Sequence, residues 1–246
     1  MPRTALTLDA PGGLCPATLH TPEGSGPWPG VIMYPDAGGV RDTFLGMADH
    51  LAGLGYVVLL PDVYYRSGGF EPFDMATVFT DPAERARLGA LMQSLTPEMV
   101  VADAAVYTAT LLGRPEVTGP RVGTTGYCMG GRTSLIVAGA LGGTIGAAAS
   151  FHGGNLAKAD DPDSPHHRAA GIRAAVYVAG ATDDGSFGPE QFTLLDDALS
   201  EAGVRHTVET YPAAHGFAVP DNPTHDAEAE ERHWAALSDL YRAALA

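Results

Sequence analysis

A chain of 246 residues, 45% of them hydrophobic, can bury one sizeable core, and α/β folds of this length are commonly single domains. Fourteen basic residues against twenty-nine acidic ones leave a net charge of −15, which argues against a nucleic acid or an anionic membrane as partner. Two cysteines, Cys15 and Cys128, form no disulfide framework, and without clustered histidines they make no zinc site, so neither metal nor cofactor is expected.

In chain order, two short strands are expected near residues 4–8 and 14–20, divided by the turn Pro11-Gly12-Gly13. The compact apolar runs Gly30–Tyr34 and Tyr56–Leu60 suit buried parallel strands. Between them Phe44 to Leu54 reads as a helix closed by Gly55. Residues 63–95 are the least regular, a Tyr-rich loop followed by a helix around Glu84 to Met92. Thr96-Pro97-Glu98 supplies a cap hydroxyl, a proline and an acid to open the next helix, whose apolar face is Val100, Ala104, Tyr107 and Leu111.

A β-prone run, Arg121–Thr125, leads into Gly126-Tyr127-Cys128-Met129-Gly130-Gly131 and then into the apolar helical segment Ser134–Ala138. Strands at Thr144–Phe151, Ala174–Ala179 and His206–Tyr211 follow, with helices near Glu190–Ala202 and from about Asp226. The acidic run from Asp226 to Glu231 suits the first turns of that last helix. The N-terminus lacks an apolar signal region and no run has membrane-spanning length, so a soluble cytoplasmic protein is expected. Alternating β and α after an N-terminal hairpin implies a mostly parallel central sheet with helices on both faces.

Strand, Gly-x-Cys-x-Gly turn and helix, in that order, make the context of a nucleophile elbow, and with the element order they predict an α/β-hydrolase fold. In such a turn the nucleophile takes a strained backbone conformation, and the glycines let strand and helix approach. A thiol at a helix N-terminus faces unpaired N–H groups and the positive end of the dipole, both favouring thiolate. The competing reading of Cys128 is a buried structural cysteine.

In this fold the order is nucleophile, acid, base. The acid falls in the turn after Ala174–Ala179, where Asp183 and Asp184 are both candidates. The base falls in the loop after the last strand, where His215 stands. His152 follows the strand after the elbow, the wrong place for the base, and is expected to line the pocket. His166, His167, His206, His225 and His233 are expected to be exposed.

These residues carry a resemblance. The elbow Gly126–Gly131, the loop Pro61-Asp62-Val63-Tyr64 and His215-Gly216-Phe217 resemble the dienelactone hydrolase family, from about Gly30 to Trp234. The resemblance implies hydrolysis of an enol-lactone or small activated ester by a triad of Cys128, an aspartate and His215. The family turn Gly-Ala-x-x-Asp-x-Ser-Phe, set on Gly180–Phe187, selects Asp184 as the acid. It further implies oxyanion donors on the backbone of Ala37 and Met129. The family's carboxylate over the thiol falls on Asp36, here an aspartate where glutamate is usual, and is expected to hold the thiol protonated until substrate displaces it; the competing reading is a turn residue after Pro35. Of two arginines that grip a substrate carboxylate, Arg87 (or Arg85) fills one position and Val219 stands at the other. Tyr64, Tyr65, His152 and Phe187 are expected at the pocket wall. The expected partner is a small lactone or ester, and the protein is expected to be a monomer or homodimer. The alternatives are a broad carboxylesterase and a non-catalytic ligand-binding member of the fold.

Overall fold

The computed structural model describes residues 1–245. Among these residues eight strands form one sheet, β1 (Arg3–Ala10), β2 (Gly13–His20), β3 (Trp28–Tyr34), β4 (Val57–Pro61), β5 (Val117–Tyr127), β6 (Ile145–Phe151), β7 (Ala175–Asp183) and β8 (His206–Ala214), in the order β1-β2-β4-β3-β5-β6-β7-β8. β1 with β2, and β2 with β4, are antiparallel, and every later pair is parallel. The expected hairpin and mostly parallel sheet are therefore present.

Six α-helices cover the sheet, α1 (Asp42–Gly53), α2 (Pro82–Gln93), α3 (Pro97–Leu112), α4 (Met129–Ala140), α5 (Pro189–Glu201) and α6 (Ala227–Ala244), a count made among the described residues. The apolar runs explain the layering, because successive side chains of a strand point to opposite faces. Ile32 and Tyr34 of β3, with Val57 and Leu59 of β4, pack in one core with Ala104 and Leu111 of α3, Leu135 of α4 and Leu195 of α5. Val31 and Met33, with Val58 and Leu60, pack in the other with Phe44 and Leu51 of α1 and Leu237 and Tyr241 of α6. Each fully buried Val, Leu, Ile, Phe or Met among these contributes about 1.5–3 kcal/mol of hydrophobic stabilisation.

The helix starts follow the capping chemistry. Thr96 Oγ1 accepts from the Met99 N–H, with Pro97 and Glu98 in the first turn of α3. Asp226 Oδ1 accepts from the Ala229 N–H at the start of α6, where Glu228 and Glu230 lie in the first turn. Asp81 caps α2 by accepting from Ala83 and Glu84. After α1 the chain turns at Gly55, whose φ of 99° is the left-handed region that glycine enters without cost.

Two histidines depart most from expectation. His233 is fully buried, its Nδ1 on the Glu230 carbonyl (2.8 Å) and its Nε2 3.1 Å from the Tyr127 hydroxyl. Burial lowers its pKa to about 3, so it is neutral in the fold. His166 is also buried, in a 3-10 turn at Pro165–Gly171 that local patterning did not announce. His167 is exposed as expected, while His206 and His225 are half-buried.

Candidate active site

The parallel strands all end at one edge of the sheet, where ligands of open α/β sheets bind. Each candidate follows a strand end: Asp36 and Ala37 after β3, Cys128 after β5, His152 after β6, Asp184 after β7 and His215 after β8.

The elbow is built as the glycines require. Cys128 has φ 53° and ψ −115°, a strained conformation for a residue with a Cβ, and α4 starts at the next residue. A Cβ on Gly126 would lie 1.9 Å from the Gly130 carbonyl oxygen, and one on Gly130 would lie 2.3 Å from the Tyr34 and 2.4 Å from the Pro35 carbonyl oxygens. Strand, helix and the loop after β3 are thus in backbone contact around the cysteine. Cys128 is half-buried, whereas Cys15 has no exposed surface and its thiol is pushed up to about 11, chiefly by burial.

His215 and Asp184 meet because β7 and β8 end together. Their register runs from Ala181 opposite Tyr211 to Asp183 opposite Ala214, so one extra residue on β8 bulges the pair just before the site. The Asp184 carboxylate, its side chain only 2% exposed, reaches His215 Nδ1 with Oδ2 at 2.7 Å. Its Oδ1 accepts from the Ser186 hydroxyl (2.6 Å) and N–H (2.8 Å). Burial raises the Asp184 pKa, but the hydrogen bond from His215, the imidazolium charge and the Ser186 bonds outweigh it and hold it below the ordinary carboxylate value. For His215 burial works downward, and hydrogen bonds to Asp184 and Cys128 together with their charges push it up to about 10.

The loop after β3 and the start of α4 are joined by Tyr64. Its hydroxyl donates to the Ala37 carbonyl at 3.0 Å and lies 3.2 Å from Met129 Sδ, so the two expected oxyanion residues touch one side chain. Tyr64 is 1% exposed, which makes it a brace between these segments where a pocket wall was expected. Ala37 and Met129 also pack with Phe70, Phe73, Met75 and Val78 from the Tyr-rich segment, an apolar cover over this end of the site.

Other expectations take a different form. Asp36 gives both carboxylate oxygens to Arg41, at 2.7 and 2.9 Å, and accepts from the Gly38 N–H at 2.9 Å. Both its oxygens are therefore engaged by a guanidinium that also holds Asp221, and by its own loop, which gives Asp36 a loop-holding role. His152 is buried, with φ 38°, and packs edge-on against His215 at 5.3 Å and Phe217 at 5.0 Å. It packs against His215 and presents no open face to a ligand. Phe187 is buried against Gly180 and Phe192. Arg87 is held by Glu84 and the Glu71 carbonyl and stacks on Phe73 at 3.9 Å, Arg85 is exposed, and Val219 is fully buried.

Sequence reading missed Arg41, Ser186 and Asp221. Ser186 stood inside the quoted turn, two residues beyond Asp184, the spacing at which an Asp side chain bonds the backbone. Arg41 and Asp221 are 180 residues apart and carried no local signal. Among the described residues no three His, Cys, Asp or Glu side chains gather as a metal site, and no helix is long and apolar enough to cross a membrane.

Comparison with known proteins bears on the family and the fold. The model of the dienelactone hydrolase family matches residues 15–245. The chain is 28% identical to a carboxymethylenebutenolidase of a Pseudomonas species, over 91% of this chain and 88% of that one. It is similar to a solved dienelactone hydrolase-like promiscuous phosphotriesterase from metagenomic libraries, with 29% identity, a TM-score of 0.75 and 98% of each chain covered. A structure assigned as a dienelactone hydrolase from Klebsiella pneumoniae, 21% identical, shares the fold with a TM-score of 0.83 over 98% of each chain. A family match over nearly its whole length, on an α/β-hydrolase fold, makes this chain a member of the dienelactone hydrolase family.

Proposed function

We propose that this lactone and ester hydrolase works through a Cys128–His215–Asp184 triad and an acyl-thioester, on an enol-lactone or a small activated ester. The observation that carries the reading is His215 bonded to Asp184 at 2.7 Å, in the loop order expected of base and acid, beside a cysteine in the strained elbow conformation.

With its pKa near 10, His215 is an imidazolium at neutral pH, the form that pairs with a thiolate. The Cys128 sulfur attacks the carbonyl carbon and forms a C–S bond while the carbonyl π pair moves to oxygen. The N–H groups of Ala37 and Met129 receive that oxyanion; Met129 opens α4, where the first N–H groups have no partner within the helix. Collapse expels the enolate or alkoxide, which takes the proton of His215. Neutral His215, fixed in one tautomer by Asp184, then removes a proton from water. The hydroxide attacks the thioester, the C–S bond breaks, the acid leaves and the thiolate–imidazolium pair returns. An enolate is a good leaving group and needs little acid assistance, which suits a thiol nucleophile to lactones better than to amides.

Intact-mass detection of one acyl group on Cys128 after rapid mixing with a p-nitrophenyl ester tests the mechanism. A rate panel of dienelactone against p-nitrophenyl esters of rising chain length separates a lactonase from a broad carboxylesterase. Absence of both acyl adduct and turnover would leave the non-catalytic alternative standing.

A further inference from the structure

The loop that follows β3 and the loop that carries His215 are joined by one side chain. Arg41 Nε and Nη2 donate to Asp221 Oδ2 and Oδ1 at 2.6 and 2.8 Å. Its Nη1 and Nη2 donate to Asp36 Oδ1 and Oδ2 at 2.7 and 2.9 Å, and Nη1 also meets the Gly39 carbonyl at 3.2 Å. A planar guanidinium thus grips two carboxylates at once, each bidentately, which the point charge of lysine cannot do. The group sits 4.9 Å over the Phe44 ring of α1, and its side chain is only 14% exposed.

Both ends of this bridge lead to reacting groups. Asp36 accepts from the Gly38 N–H and immediately precedes Ala37. On the other side Asp221 adjoins Asn222, which packs so closely on Gly216 that a Cβ there would lie 2.5 Å from Asn222 Nδ2. Asn222 Oδ1 accepts from the Thr224 hydroxyl, and that hydroxyl also contacts the His215 carbonyl at 2.5 Å. Asn222 and Thr224 thus form a chain of contacts from Asp221 to Gly216 and the His215 carbonyl.

We propose that Arg41 is a positioning residue that sets the separation between the oxyanion donor at Ala37 and the base His215. It touches no reacting atom and acts through Asp36 and Asp221. The role rests on the triad mechanism above. Two loops on opposite sides of the nucleophile must hold their spacing through attack and collapse, and a misplacement of about 1 Å can cost on the order of 10²-fold in rate.

The test compares Arg41→Ala, Arg41→Lys and Asp221→Asn with the wild type, reading kcat, KM and Tm on a p-nitrophenyl ester. Arg41→Ala should lower kcat about 10–100-fold with a much smaller change in KM, since ground-state contacts are intact. Lysine should not restore the rate, and Asp221→Asn should fall in the same direction by less. Millimolar guanidinium chloride should recover part of the Arg41→Ala rate without accelerating the wild type. If Arg41→Ala proves insoluble, Asp221→Asn, altered at the more exposed end, carries the same comparison. A lowered Tm with wild-type kcat in either variant would overturn the proposal, as would full activity of Arg41→Lys. The acyl adduct on wild-type Cys128 is measured alongside. Its presence with wild-type kcat in the variants removes the clamp alone, and its absence removes the mechanism on which the clamp rests.

Discussion

Asp184 and Asp183 are neighbours that meet His215 in different ways: Asp184 bonds the imidazole through Oδ2 at 2.7 Å, while Asp183 accepts the His215 backbone N–H at 3.1 Å through its own carbonyl. The Asp183 carboxylate belongs to an exposed residue and that of Asp184 is almost fully enclosed. Asp184→Asn should therefore disturb the tautomer of His215 and reduce kcat on the order of 10²–10⁴-fold. Asp183→Asn keeps its backbone carbonyl and should retain near wild-type kcat. Equal losses in the two variants would contradict the assignment.

Cys128 should be the only thiol modified by iodoacetamide under native conditions, and modification should abolish turnover. Cys15 is enclosed, with its sulfur 3.4 Å from the Tyr107 hydroxyl, and its raised pKa keeps it protonated. Peptide mapping after brief alkylation checks the selectivity, and Cys128→Ala should be inactive.

The raised pKa of His215 makes its contribution to stability dependent on pH. In the unfolded chain a histidine titrates near about 6.5. The folded-state value of about 10 lies above that, so the fold gains stability from the imidazolium, in full below the unfolded value. The gain is lost as pH rises through about 10. Wild type should therefore exceed His215→Ala in Tm at mildly acidic pH, with the gap closing in alkaline solution. A gap that widens with pH would show that the imidazolium is not favoured by the fold.

Gly130→Ala should destabilise by about 1–3 kcal/mol, the usual cost of forcing atoms into a packed site. The new Cβ meets two backbone carbonyls that cannot swing aside. Gly89→Ala is the control: it lies within α2 with open space around it, so alanine should stabilise by about 0.5–1 kcal/mol. Urea midpoints with unchanged slopes decide both.

The strands were legible because apolar runs such as Tyr56–Leu60 have few other uses, and the elbow because its glycines answer a steric demand written in six adjacent residues. The choice of Asp184 needed a family pattern, since two adjacent acids in a turn look alike locally. His233 was missed although Ala229, His233, Leu237 and Tyr241 form a four-residue buried stripe of α6. Its polarity hid a pattern that its spacing disclosed. The Asp36–Arg41–Asp221 bridge was out of reach, because a contact between residues 180 apart is created by the fold. The same holds for Tyr64, whose hydroxyl finds its partners only when Ala37 and Met129 come together.

The order of strands bears on how the enzyme rests as well as on how it reacts. β8 is the last strand of the sheet and pairs only with β7 among the described residues, so the proposed base His215 hangs from an edge while the proposed nucleophile Cys128 follows β5 near the centre. Edge strands open at lower free energy than central ones. Transient peeling of β8 would carry His215 away from Asp184 and leave the Cys128 elbow folded, a dormant form with its thiol in place and no proton acceptor. Amide exchange along Thr207–Tyr211 reports the population of that form, and slower exchange there than along β5 would exclude it.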